Sequence, residues 1–252
     1  MNITRSMNGD GEEGLIQPMK GKNDPSIGPD VLLALIPQDL VYLIQHVQPE
    51  GAVLHDLAFF RIYQVSGGAI TLCGPFLGAP QAVMGVEKLI ALGAKRVWVL
   101  GWCGSLQPDL RIGDLVIPTE AVSEEGTSQH YPIGDNLATT DGGLNQRLET
   151  ALQKDGYAFK KGPVWTTDAP YRETPGKIRA YRDKGVLAVE MEMSALMTLA
   201  VFRSIRLTGL LVVSDELFDL KWRTGFGDPK FKAISRRAAE LLLQLMTSGN
   251  HP

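Results

Sequence analysis

Short, nearly continuous apolar runs alternating with amphipathic segments constrain this chain more than any other feature. DVLLALIP (Asp30 to Pro37), AITLCG within AITLCGPFLGAP, KRVWVLGWCG, GDLVIPTEAV, GVLAV and LTGLLVVSDE are each short and apolar enough to be strands, several of them buried on both faces. Between them, PQAVMGVEKLIALG reads as a helix with Pro80 in its first turn, Gly93 past its end, and Val83, Val86, Leu89 and Ile90 on one face. LNQRLETALQKDG reads as a second helix ended by Gly156, and another starts near Ser194. In DPKFKAISRRAAELLLQLM, Asp228 caps, Pro229 opens, and Phe231, Ile234, Ala238, Leu241 and Leu245 line one face. Strands alternating with helices predict one α/β layered domain over residues 31–252. Residues 1–30, rich in Gly, Pro, Asn and Lys, predict an N-terminal arm or a disordered leader.

A chain of 252 residues with 44% hydrophobic content can bury a core without disulfides or metals. A formal charge of −3 offers no basic footprint for nucleic acid. The two cysteines, Cys73 and Cys103, form no CxxC or Cys/His cluster at metal-ligand spacing, so no metal is expected and reduced thiols are. No apolar stretch approaches the roughly 20 residues that cross a bilayer. The expectation is a cytoplasmic protein with no membrane partner.

In open α/β sheets, ligands bind beyond the carboxyl ends of strands. Three such ends carry unusual residues: GWCGS, EME and SDE. Asp215 reads either as a helix cap, the commoner role for its position, or as a general acid whose pKa is raised by shielding from water. Glu190 and Glu192 read either as favourable charges at a helix N-terminus or as cleft carboxylates. Because residues i and i+2 point about 200° apart on a helix, one of the pair is expected in the cleft. A carboxylate there can accept bonds from adjacent sugar hydroxyls and stabilise positive charge developing on the sugar ring.

VEMEMSAL, VVSDE, GWCGSLQPDLRIGDLVIPTEAV and LGAPQAVMGVEKLIALGAKRV occur in the order and spacing of the nucleoside phosphorylase family, which the chain resembles over roughly residues 30–247. That family includes purine nucleoside and uridine phosphorylases and methylthioadenosine nucleosidases. The resemblance implies a single α/β/α domain around a twisted mixed sheet, assembly as dimers or hexamers, no cofactor, and cleavage of a nucleoside N-glycosidic bond. It assigns Glu192 to the ribose 2′ and 3′ hydroxyls, Met191 beneath the ribose, and Asp215 to protonation of the departing base. Cys103, Gly104 and Ser214 fall at the base pocket, and Tyr171 in TTDAPYRE falls on its covering loop.

The chain departs from the family where phosphate is held. The PGDPxR block reads PQDLVY, with Gln38 for the glycine and Tyr42 for the arginine. The RxGSCG block reads VLGWCG, so Val99 replaces the arginine and Trp102 the hydroxyl residue, in register with Gly101. The arginine lent by a neighbouring subunit falls near His55 and Asp56, with Arg61 the nearest arginine. Burying a phosphate dianion without paired cations costs several kcal/mol. The stacking aromatic reads Pro170; Trp165 or Trp102 offers a replacement face, or either belongs to the core or a subunit interface. Arg223 in KWRTGFGD either orients Asp215 or is a solvated loop residue. Local residues favour water slightly over phosphate as acceptor. Conventional phosphorolysis and a non-catalytic nucleoside-binding module of the same fold are the alternatives.

Overall fold

The computed structural model describes residues 14–47, 53–57, 60–65 and 70–248. Strand β1 (Asp30–Ala34) is buried at every position, as an unbroken apolar run in mid-sheet requires. It pairs in parallel with β4 (Ile70–Gly74) on one side and β5 (Arg96–Ser105) on the other. An antiparallel hairpin, β2 (Val53–Leu57) and β3 (Phe60–Val65), extends the sheet beyond β4. In the other direction β5 pairs in parallel with β9 (Arg206–Glu216) and antiparallel with β8 (Ala188–Glu190). Strands β6 (Leu115–Glu124) and β7 (Phe159–Thr167) connect β9 back to β8, so five strands close on themselves within a mixed sheet. The short β10 (Arg223–Thr224) adds to the outer side of β9.

Helices cover both faces. Val31, Leu33, Val97 and Val99 pack with α2 (Ala79–Leu92) and α5 (Met193–Phe202). The alternate residues Leu32, Ala34, Trp98 and Leu100 pack with α1 (Pro37–His46), α3 (Gly142–Lys154) and α6 (Pro229–Ser248). The α/β/α layering and mixed sheet are those the sequence predicts. α6 starts where expected: Asp228 Oδ1 accepts the Lys230 N–H at 2.7 Å, and Phe231, Ala238 and Leu241 are buried. α2 ends at Gly93, whose φ of 129° a side chain would strain.

Six elements carry no clear pattern in the sequence: α1, β2, β3, β7, α4 (Pro175–Asp183) and β10. β7 contains Gly162 and Pro163, which interrupt any strand signature. The apolar run read through Pro37 stops at Ala34, because Pro37 opens α1 with its fixed φ. Residues 14–29 form no helix or strand and lie against α2, where Lys88 Nζ donates to the Met19 carbonyl at 2.6 Å. The expected arm's residues 1–13 lie outside the described residues. Among the described residues, no helix is long and apolar enough to cross a membrane.

Candidate active site

The carboxyl ends of β5, β8 and β9 meet at a cavity of about 440 Å³. Its geometry begins with a register shift: Cys103 pairs with Val213, but Gly104 pairs with Asp215, leaving Ser214 as the extra residue of a bulge. Such bulges re-aim the side chain that follows. Asp215 thereby lines the cavity, and a Cβ on Gly104 would stand 3.0 Å from its Oδ2. Ser214 Oγ donates to Asp215 Oδ1 at 2.7 Å, and Trp222 Nε1 donates to Oδ2 at 2.9 Å. Both bonds favour the carboxylate, yet burial outweighs them and raises the Asp215 pKa.

The two glutamates after β8 divide their tasks. Glu190 Oε2 accepts the N–H groups of Glu192 and Met193 at 2.6 and 2.7 Å, and Thr166 Oγ1 donates to its Oε1. Glu190 therefore caps α5. Glu192 turns the other way, and its Oε1 accepts the Gly78 N–H at 2.6 Å from the turn before α2. Burial raises both pKa values, and for Glu192 the neighbouring Glu190 charge adds to the effect. Three donors hold Glu190 and one holds Glu192, and at both residues burial outweighs these bonds. Met191, between them, also lines the cavity.

The opposite wall is closed by Trp102. Its ring lies 4.8 Å from Phe231 edge-on and 5.9 Å from Phe226 stacked. Its Nε1 donates to Asp39 Oδ2 at 2.8 Å, and Ser235 Oγ donates to Asp39 Oδ1 at 2.6 Å. Asp39 is buried, which raises its pKa. Among the described residues no lysine, arginine or histidine lines this cavity, whereas Glu173, Glu190, Glu192 and Asp215 all do.

The cavity brings together Asp215, Glu192, Met191, Cys103, Gly104, Ser214, Tyr171 and Trp102. Burial pushes the Cys103 thiol well up, so it is a neutral wall group. Trp165 does not belong to the pocket: it is fully buried beneath α4, 4.7 Å from the Tyr181 ring. Val99 faces the α2 side of the core, and Tyr42 lines a neighbouring cavity, where its hydroxyl donates to Glu240 at 2.5 Å. Gly101 is packed against Leu35, leaving Trp102 as the member of that group that reaches the cavity. Arg223 does not orient Asp215. It opposes Glu216 in the β10–β9 ladder, so it shares that residue's face and pairs with Asp219 and Glu216, while Trp222 falls on the Asp215 side. Arg61 is exposed on the hairpin beside Asp56, away from this cavity.

Sequence reasoning passed over Asp39, Glu173, Trp222 and Phe226. A larger groove of about 1060 Å³ beside residues 14–19 and α2 contains none of the predicted site residues.

A mixed sheet covered by helices, with a small-molecule cavity at strand carboxyl ends, defines the class: an α/β protein whose ligand site is walled by carboxyl groups. Residues 30–248 match the model of the phosphorylase superfamily, and the chain belongs to that family. It is 32% identical to a guanosine phosphorylase of Halorubrum lacusprofundi over 189 residues, 73% of this chain and 78% of that protein. It is 30% identical to a DeoD-type purine nucleoside phosphorylase of Caldanaerobacter subterraneus subsp. tengcongensis, over 78% of this chain and 87% of that one. The fold is shared with a uridine phosphorylase from Vibrio fischeri (TM-score 0.77, 23% identity, 88% of this chain and 93% of that one). It is also shared with a Toxoplasma gondii purine nucleoside phosphorylase in complex with immucillin-H (TM-score 0.78, 23% identity, 88% and 92% covered).

Proposed function

We propose that this chain cleaves the N-glycosidic bond of a purine nucleoside, with Asp215 delivering a proton to the leaving base and Glu192 accepting the ribose 2′ and 3′ hydroxyls. One observation carries the reading: a single cavity is lined by Asp215 from β9 and by Met191 and Glu192 from the turn between β8 and α5. Protonation makes the base a better leaving group, for which a buried carboxyl with a raised pKa is suited. Negative charge on the ribose side stabilises the oxocarbenium-like sugar. The two purine-type relatives named above support a purine substrate.

Water is the acceptor in this reading. Its support is the absence of any cation lining the cavity among the described residues, together with Trp102, which lines it and donates to the Asp39 carboxyl of the neighbouring cavity. Phosphorolysis is the second reading, favoured by the activity for which those same relatives are named. In either, the chain acts as a homo-oligomer, a dimer or hexamer, and needs no cofactor. Base release from a nucleoside panel, with and without phosphate, tests the acceptor. Strict dependence on phosphate would sink hydrolysis, and full activity of Asp215→Asn would sink both readings.

A further inference from the structure

Trp222 is 65% exposed, yet it lines the cavity and its Nε1 donates to Asp215 Oδ2 at 2.9 Å. An indole so exposed gains little from burial, so packing does not explain the segment that carries it. Leu220, in the turn after β9, has a φ of 64°, which a side chain adopts only at a cost. Asp219 accepts from the Lys221 N–H at 3.3 Å and pairs with Arg223. β10 then sets Arg223 opposite Glu216 and Thr224 opposite Asp215. The Gly225 N–H donates at 2.7 Å to the carbonyl of Ser214, the bulge residue that aims Asp215, and a Cβ on Gly225 would stand 2.4 Å from Ile112. The segment that delivers Trp222 to Asp215 therefore also pins the bulge beneath it.

We propose that Trp222 is a positioning residue for the general acid: its indole N–H fixes the Asp215 carboxyl against the leaving base and stabilises the carboxylate that proton transfer leaves behind. The inference rests on the glycosidic reading above. In that reaction the C1′–N9 bond breaks with its electron pair going to the base, and the Asp215 proton passes to N7. Water then bonds to C1′, and the proton it sheds returns to Asp215. The carboxyl is neutral before the transfer and charged after it. A hydrogen bond to a charged group is stronger than one to a neutral group, so the Trp222 bond tightens as the proton leaves and lowers the barrier. Burial raises the Asp215 pKa, and an acid held too weak gives up its proton slowly; the indole acts against that. Each carboxyl oxygen has two lone pairs, so the Ser214 and Trp222 donors leave one position on each oxygen for the proton and the base. Trp222 acts here through Asp215 and not on a reacting atom.

The test compares wild type, Trp222→Phe and Asp215→Asn on inosine or adenosine, whichever wild type cleaves faster. The second substrate is para-nitrophenyl β-D-ribofuranoside, whose leaving group departs as an anion and needs no proton. Trp222→Phe keeps an aromatic wall and removes the donor. On the nucleoside its kcat should fall by about tenfold, with KM within about twofold of wild type. On the nitrophenyl riboside its kcat should match wild type. Equal losses on both substrates, or a loss carried by KM, would mean that Trp222 only packs against the ligand, and overturn the inference. An NMR titration of the Asp215 carboxyl in the empty protein reads the same bond without turnover, and its midpoint should lie about one pH unit higher in Trp222→Phe. The titratable groups that share the cavity are Cys103 from β5, Tyr171 and Glu173 after β7, and Glu190 and Glu192 after β8, while Arg111 and Arg223 pair with Glu216. The substitution leaves all of them in place. An unmoved midpoint overturns the inference even if no nucleoside is cleaved. A loss with Asp215→Asn and none with Trp222→Phe sinks this inference alone. Full nucleoside activity of Asp215→Asn sinks the glycosidic reading, and the titration still decides what Trp222 does to the carboxyl.

Discussion

Two neighbouring cavities that meet at Trp102 differ in what their carboxyl groups are bonded to. In the first, Glu192 and Asp215 accept bonds from one backbone N–H, one hydroxyl and one indole, and no cation pairs with either among the described residues. In the neighbouring cavity, which Trp102 also lines, both oxygens of Asp39 are engaged, one by Trp102 and the other by Ser235. The first arrangement leaves acceptor capacity open towards the cavity. The second consumes it and puts an indole and a carboxyl where the resemblance places an anion. A site can therefore keep its glycosidic chemistry while losing the electrostatics that a phosphate dianion needs.

The largest expected effect falls on the base side. Asp215→Asn keeps shape and removes the proton, so kcat should drop by about 10²–10⁴-fold, the usual range for a positioned general acid. The Tm should hold or rise, since a buried carboxyl is removed. A loss of less than about tenfold would break the comparison at its active half.

Trp102→Ala probes the other half through stability. Removing the indole leaves a gap beside Phe226 and Phe231 and deprives buried Asp39 of a donor. The expected cost is about 3 kcal/mol by thermal or denaturant unfolding. Phosphate should still not accelerate base release, because among the described residues no lysine or arginine lines the cavity of Asp215 and Glu192, and Lys232 and Arg236 line only the neighbouring one that Trp102 borders. Should the variant acquire phosphate-dependent activity, the anion side would be merely blocked by Trp102 and otherwise intact.

Glu192→Gln is a smaller perturbation. Losing a charged acceptor for ribose hydroxyls should lower kcat/KM by about 10–100-fold, since a hydrogen bond to a charged group contributes roughly 1.5–3 kcal/mol. The drop should shrink on a 2′-deoxynucleoside, which lacks one of the two hydroxyls. Equal losses on both substrates would remove Glu192 from the sugar.

The carboxyl cluster of the cavity was legible in the sequence because its residues sit where strands end, and strand ends are marked by the switch from apolar run to polar turn. Asp215, Glu190 and Glu192 stand out that way, but the i, i+2 spacing predicts one glutamate in the cleft and both line the cavity, since they sit in the turn between β8 and α5 and not on a regular element. Trp165 was misplaced because a tryptophan at a strand end is compatible with either pocket or core, and its burial under α4 depends on a helix with no strong apolar stripe. Arg223 was misplaced because β10 has two residues and leaves no readable alternation. Asp39 and Glu173 were passed over for a related reason: their roles arise from elements distant in the chain, Ser235 on α6 for one and Asp215 on β9 for the other. The closure of five strands into a ring likewise depends on β8, only three residues long, pairing on both sides.

The smallest effect is a pH dependence of stability that separates the cavity from the rest of the molecule. Burial raises the pKa of Asp39, Glu173, Glu190, Glu192 and Asp215, so each binds its proton more tightly folded than unfolded. Below the unfolded values, near pH 4, both states are protonated and these groups cost nothing. As pH rises from there towards the raised folded values, about 7 for Glu173, the unfolded chain releases protons that the folded chain retains, and stability falls. Carboxyls such as Asp30, Glu125 and Asp141, whose pKa values are lowered, act with the opposite sign and weaken the fold in acid. Subtracting one protein from another isolates the cavity. Wild type and Glu192→Gln should melt together near pH 5, and wild type should fall behind as pH rises to 8, by roughly 2–4 °C per kcal/mol of difference. A nucleoside that donates its hydroxyls to Glu192 favours the carboxylate, so saturating ligand should shrink that gap. A gap that is independent of both pH and ligand would mean Glu192 is ionised in the empty cavity, and the difference between the two cavities would then be one of geometry without electrostatics.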